Sequence, residues 1–357
     1  MSLDIKDLAA LFELSRDSIL GEENGIVRFV NPTAKAFLGA KEGDAADAYF
    51  PADIVRAPMT RFVAAGKIRG RSMTISVTRQ NGLSLYIVPR QENLNDPVPE
   101  GAAAELGTLL MTARMALDRL VELAVTRDGG SEAQLTSILY RTHYRAKRLQ
   151  EHLAMTSLLR RNALPYEPRL LTLEDIVADT VSTTQSLTAK TGITLLQDCD
   201  EGCHIRGDRH LIEVLLFNLL SNSLLHTKSG GTIRLILKRR DRYCILGVDD
   251  SGDGISSLRL SDLLPDGATP NMTDPATGTG LGLTLARGIA ELHDGTLILE
   301  SRENAGTRLR ISFPLLSPSD YHLLREPDSQ RADGMDLALT ELSCVVDRDV
   351  YTRRMFD

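Results

Sequence analysis

The chain has 357 residues, 42% of them hydrophobic and 25% charged, with a formal net charge of -7. That length leaves room for two or three domains of ordinary globular composition, and the acidic excess argues against a nucleic-acid surface. No apolar run reaches the ~18 residues of a membrane span, and the acidic, amphipathic residues 1–14 do not read as a signal peptide, so a cytoplasmic protein is expected. Cys199, Cys203, Cys244 and Cys344 are too few and too scattered for a disulfide framework, and no second ligand pair follows Cys199 and Cys203. Reduced, structural thiols are the expectation.

Residues 1–95 read as a small α/β unit. Apolar residues from Leu8 to Leu20 have helical spacing, residues 25–30 form a short strand, and Asn31-Pro32 turns into a helix through Phe37 and Leu38. Residues 72–77 and 84–88 alternate like the arms of a hairpin around Gln80-Asn81-Gly82. A strand opened by Gly25 and running through Asn31 into a helix resembles a PAS sensor domain; a small α/β domain of other role is the alternative.

Residues 93–100 are a polar, proline-bearing linker. From Ala102 to Arg127 the apolar positions Leu106, Leu109, Leu110, Ala113, Leu117, Leu120 and Leu123 are helical in spacing, and Asp128-Gly129-Gly130 breaks the pattern. A second helix is predicted from about Ser131 to Arg161, with Leu135, Ile138, Leu139, Ala146, Leu149, Leu153 and Met155 apolar. Such a helical hairpin cannot bury its whole stripe alone, which predicts a homodimer through a four-helix bundle.

Residues 170–316 alternate helices and strands, as in an α+β sandwich of one mixed sheet covered by helices. Asn218, Asn222 and His226 fall at i, i+4 and i+8 on one helix and share a face. Amides in a leucine-rich helix need polar partners, and a divalent ion with phosphate oxygens would supply them, although loop capping would also do so. Asp250-Ser251-Gly252-Asp253-Gly254 follows a strand. Its carboxylate suits an exocyclic amine and its glycines let backbone approach a flat base, while a plain Asp-Gly turn is the alternative. Gly278, Gly280 and Gly282 open a helix whose free N–H groups suit phosphate. The three elements in this order point to an ATP site.

On these residues, together with Gly295-Thr296, Gly306-Thr307 and Phe313-Pro314, residues 166–316 resemble the GHKL-type ATPase domain of two-component sensor histidine kinases. The resemblance implies an α+β multidomain protein, with a PAS-like sensor at 1–95, a dimerisation and phospho-acceptor hairpin at 96–165, and a C-terminal tail at 317–357. It implies that Asn222 holds Mg²⁺ through ATP and that Asp250 takes the adenine amine. It further implies that Asn218, His226, Gly252, Gly254, Gly278, Gly280, Gly282 and Thr307 shape the pocket. The partner implied is a response-regulator receiver domain or a complete kinase.

Three positions depart from the family pattern. Where the phospho-accepting histidine is expected the chain has Ala104, followed by Glu105 and Thr108, and alanine carries no nucleophile. Leu225 stands where a lysine near the phosphates is frequent. Residues 256–277 lack a phenylalanine-bearing lid motif. The activity is therefore open between a kinase using a substitute such as His143 or His152, an ATP-binding regulator, and a receiver phosphatase in which Glu105 and Thr108 orient water. The tail reads as polar, with a helix near residues 335–346.

Overall fold

A computed structural model of the chain describes residues 12–13, 15–68, 71–80, 82–89, 106–107, 110–115, 117–118, 130–255, 281–317 and 334–351. Ten strands form one sheet. In chain order these are β1 (Ser18–Glu23), β2 (Ile26–Val30), β3 (Arg61–Ile68), β4 (Arg71–Gln80), β5 (Leu83–Val88), β7 (Thr194–Cys199), β9 (Thr232–Arg240), β10 (Tyr243–Asp250), β11 (Thr296–Ser301) and β12 (Thr307–Pro314). Their spatial order is β2-β1-β5-β4-β3-β11-β12-β10-β9-β7. Only the β7–β9 pairing is parallel, so the sheet is mixed. β6 (Arg169–Thr172) and β8 (His204–Gly207) form a separate two-stranded sheet.

The sequence treats residues 1–95 and 166–316 as separate units, but antiparallel pairing of β3 with β11 joins them. Ala65, Ala64 and Val63 lie opposite Leu297, Ile298 and Leu299. Side chains alternate across a strand, and here the two faces serve two cores. Val63, Ala65, Leu297 and Leu299 join the core under the C-terminal helices, while Phe62, Ala64 and Ile298 join the N-terminal core. Ser312 Oγ donates to Asp53 Oδ2 at 2.6 Å across the same seam.

Residues 18–20 lie in β1, not in the helix their spacing predicts. Pairing with β2 on one side and β5 on the other supplies backbone partners that an isolated helical turn would lack. Asn31 caps α1 (Pro32–Leu38) by accepting from Ala34 N at 2.9 Å, and a short α2 (Ala52–Val55) follows. β4 and β5 pair antiparallel, as the arms of the predicted hairpin should, and Asn81 of its turn lies outside the described residues.

The helices that matter for the site are α3 (Gly130–Arg160), α4 (Leu173–Thr188), α5 (Arg209–His226) and α6 (Leu281–Leu292). α5 is apolar almost all round, as a central helix must be, and buries Leu211, Ile212, Leu215, Leu216, Leu219 and Leu220. On α4 the buried Thr180, Thr184 and Thr188 each return a hydroxyl hydrogen bond four residues back, which satisfies polar atoms inside the core.

Residues 110–115 and 117–118 are helical and lie against α3. Tyr140 OH donates to Asp118 Oδ1 at 2.5 Å, and the Arg114 guanidinium sits 4.6 Å from the Tyr140 ring centre. Met111 is 64% exposed and Met115 69%, one helical turn apart. Ile138 and Leu139 are also exposed.

The tail is less polar in its packing than in its composition. After α7 (Gly334–Glu341), Leu342, Val346 and Tyr351 are fully buried, and the segment wedges between α3 and the helices α4 and α5. No helix among the described residues is long and apolar enough to cross a membrane.

Candidate nucleotide site

Asp250 is the last residue of β10, where the alternation of the strand ends and the backbone leaves the sheet. Its Oδ1 accepts from Gly252 N at 3.0 Å and from Thr307 N at 3.2 Å; its Oδ2 accepts from Ser223 Oγ at 3.2 Å. Burial pushes the carboxyl above its ordinary value, and the hydrogen bonds from Gly252, Thr307 and Ser223 pull the other way. The carboxylate is thus fixed in direction, incompletely compensated, and able to accept a further donor.

Backbone packs against backbone around it. Gly306 has φ +82°, and a Cβ there would lie 2.0 Å from the carbonyl oxygen of Asp250. Gly254 has φ +66°, and its Cβ would lie 2.1 Å from the carbonyl oxygen of Arg302. Only glycine fits at either position. Gly252 faces the carbonyl oxygen of His226, 2.5 Å from where a Cβ would be. Ser301 Oγ accepts from Ile255 N at 2.8 Å and donates to the Gly306 carbonyl at 3.0 Å, so the loop after β10 is stitched to the β11–β12 turn.

Asp208 caps α5 by accepting from Leu211 N at 3.3 Å, and the helix runs to His226 at the rim of this loop. Asn222 is half-buried and His226 exposed; the latter's carbonyl accepts from Asp253 N at 3.3 Å. Asn218 differs from its two i+4 companions. It is fully buried, donates from Nδ2 to the Gly282 carbonyl at 2.7 Å, and accepts at Oδ1 from Arg148 Nη2 at 3.1 Å. Its partners are protein groups on α6 and α3, so on α5 the half-buried Asn222 is the amide with a side chain still open to a ligand. Leu225 is 42% exposed, an uncharged side chain at this end of α5.

Of the glycines in the turn entering α6, Gly282 is described and packs against Asn218; Gly278 and Gly280 lie outside the described residues. So do Ala104, Glu105 and Thr108. His152 is 3% exposed, with Nε2 2.9 Å from Glu341 Oε1, which leaves that nitrogen committed to a carboxylate. His143 is half-buried on the face towards Arg114, and burial with that nearby positive charge lowers its pKa.

The residues fit a nucleotide in two respects. A desolvated carboxylate at a glycine-walled loop suits an exocyclic amine, and the Asn222 amide oxygen is a hard donor suited to Mg²⁺. Among the described residues no group of three His, Cys, Asp or Glu side chains could hold a metal by itself. Phosphate oxygens of a bound nucleotide would supply further ligands to a divalent ion held by Asn222. Sequence reasoning missed Ser223, whose hydroxyl orients Asp250, and Arg148, which lies 70 residues from the Asn218 it contacts. Ser223 had a local signal, one residue after Asn222; Arg148 had none.

The family described as "Histidine kinase-, DNA gyrase B-, and HSP90-like ATPase" matches residues 207–317. Histidine protein kinase DivJ of Caulobacter vibrioides is 36% identical over 113 residues, 31% of this chain and 19% of that one. Sensor histidine kinase RppB of Synechocystis sp. is 26% identical over 208 residues, 57% of this chain and 46% of that one. The chain therefore spans less than half the length of either relative. The solved Acinetobacter baumannii histidine kinase AdeS superposes with a TM-score of 0.42 at 16% identity, covering 62% of this chain and 100% of that one.

Proposed function

From a chain that carries the GHKL-type ATPase domain of the two-component sensor histidine kinases, we propose an ATP-binding signalling protein whose phospho-acceptor position is Ala104. ATP binds with its adenine amine on Asp250 and with Mg²⁺ on Asn222. Gly252, Gly254 and Thr307 wall the base, and the turn of Gly278, Gly280 and Gly282 meets the phosphates. The observation that carries this reading is Asp250 itself: a carboxylate aimed by two backbone amides and a serine hydroxyl, with burial left partly uncompensated.

Residues 1–95 act as a PAS-like sensor and residues 96–165 as a dimerisation hairpin that pairs with a second copy in a four-helix bundle. The exposed Met111, Met115, Ile138 and Leu139 support this pairing, since such a group of large apolar side chains is costly in water. The partner is the receiver domain of a response regulator or a complete kinase, and the protein works in the cytoplasm. Because Ala104 has no nucleophile, the protein regulates rather than phosphorylates itself there. Glu105 and Thr108 favour a second reading, removal of phosphate from a receiver aspartate. Incubation with labelled ATP tests the first reading. No label is expected on the unaltered protein, and acid-labile label lost on His143→Ala would overturn it. Loss of receiver dephosphorylation on Thr108→Ala would select the second.

A further inference from the structure

One hydrogen-bonded chain connects the C-terminal segment to Gly282 in the first turn of α6. Glu341, the last residue of α7, is 1% exposed. Its Oε2 accepts from Arg148 Nε at 3.1 Å, and its two oxygens lie 2.9 and 3.0 Å from His152 Nε2. The fork of Arg148 reaches on, with Nη1 donating to Cys344 Sγ at 3.4 Å and Nη2 to Asn218 Oδ1 at 3.1 Å. Asn218 Nδ2 then donates to the Gly282 carbonyl at 2.7 Å, in the first turn of α6. A Cβ on Gly282 would lie 2.7 Å from Asn218 Oδ1, so the two helices meet through this amide.

The chemistry of each member fixes the next. A guanidinium has donors only, so the oxygen of Asn218 must face Arg148. The amide nitrogen must then face α6, where the Gly282 carbonyl accepts from it. Without Arg148 the buried amide oxygen would lose its donor, and the bond to the Gly282 carbonyl alone would hold the amide. Arg148 is aimed in turn by Glu341. Burial acts to raise the pKa of that carboxyl, yet the adjacent His152 and Arg148 outweigh it and hold it low, so the carboxylate is charged. The tail has anchors of its own besides this one. Leu342, Val346 and Tyr351 are buried, Tyr144 OH donates to Asp336 Oδ1 at 3.0 Å, and Arg141 donates to the Ser343 and Cys344 carbonyls at 3.2 and 3.1 Å. An arginine that only fastened the tail would have no need to reach α5.

We propose that Arg148 and Glu341 are positioning residues for the nucleotide site. Through Asn218, the C-terminal segment sets the placement of Gly282 and of the first turn of α6. The proposal rests on the reading of that turn and Asp250 as a nucleotide site. It is tested on the full chain with Glu341→Gln, which keeps the shape but not the charge, and Arg148→Lys, using ADP with Mg²⁺ as the probe and amide hydrogen exchange as a second readout. Loss of one hydrogen bond from the relay corresponds to about five-fold weaker ADP binding. Exchange over residues 282–286 should accelerate in both variants, with protection of β9, β10 and β12 retained. A lysine restores the charge but not the fork, so Arg148→Lys should behave as a loss. Parental exchange over 282–286 in a folded Glu341→Gln or Arg148→Lys protein would overturn the relay. If the unaltered protein binds no ADP, the nucleotide reading falls, and the relay is then decided by the exchange result alone.

Discussion

Substituting Asp250 separates its part in folding from its part in binding. In Asp250→Asn the amide oxygen can take the place of Oδ1 and keep both backbone N–H groups of Gly252 and Thr307. The new NH₂ group then faces Ser223, whose hydroxyl can accept instead of donate. The fold should therefore lose about 1 kcal/mol or less. Asp250→Ala removes the acceptor from two backbone donors, at roughly 1–3 kcal/mol each, so a loss of about 2–6 kcal/mol is expected. For the nucleotide the order differs. The asparagine presents a donor where the adenine amine needs an acceptor, and losing a charge-assisted hydrogen bond costs roughly 1.5–3 kcal/mol, or about 10- to 150-fold in Kd. Urea unfolding and calorimetry with ADP and Mg²⁺ measure the two quantities on the same samples. Parental nucleotide affinity in a folded Asp250→Asn protein would refute the assignment of Asp250 as the adenine acceptor.

Further outcomes follow from the same geometry. Gly306→Ala places a Cβ 2.0 Å from the Asp250 carbonyl oxygen at φ +82°, so circular dichroism should show lower stability and calorimetry weaker ADP binding together. His293 accepts from Asp208 N at 3.0 Å and makes a 2.8 Å hydrogen bond to the Ile289 carbonyl as a neutral ring, and burial lowers its pKa. Its contribution is therefore complete above its unfolded pKa of about 6.5 and declines as pH falls below it, and the drop in stability between about pH 7 and 5 should be smaller in a folded His293→Gln variant. Ile298→Asp puts a charge into the seam between β3 and β11, where Ile298 is 6% exposed, and proteolysis should then release the N-terminal unit from the rest. Leu117→Glu, at a residue 7% exposed, should break the hairpin packing and the dimer, read by light scattering.

Local signals carried the candidate nucleotide site, and distance hid the contacts around it. Asp250 was legible because residues 243–248 alternate as a strand and the glycines at 252 and 254 follow at once. Asn222 was legible because a polar residue in a leucine-rich helix is costly without a purpose. Helix α5 carries Asn218, Asn222 and His226 as their spacing predicts, and α6 begins beside Gly282, since the apolar periodicity of both continues into one core. The β3–β11 pairing was not legible. Residues 61–68 and 296–301 are far apart in sequence, and each reads as an ordinary strand that says nothing about its neighbour. Residues 18–20 were misread as helix because a short apolar run carries the same spacing in either state, and the flanking strands decide. The pairing of Glu341 with Arg148 spans 193 residues and lies in a stretch whose composition is polar. What turns that stretch into packed structure is a few buried side chains, Leu342, Val346 and Tyr351, spread over ten positions.

The most direct test of the account is an equilibrium titration of the unaltered protein with ADP and Mg²⁺. Saturable binding at one site per chain, weakened when Asp250 is changed to asparagine and when Mg²⁺ is chelated, is the predicted result. No binding by a folded protein at millimolar nucleotide would contradict it.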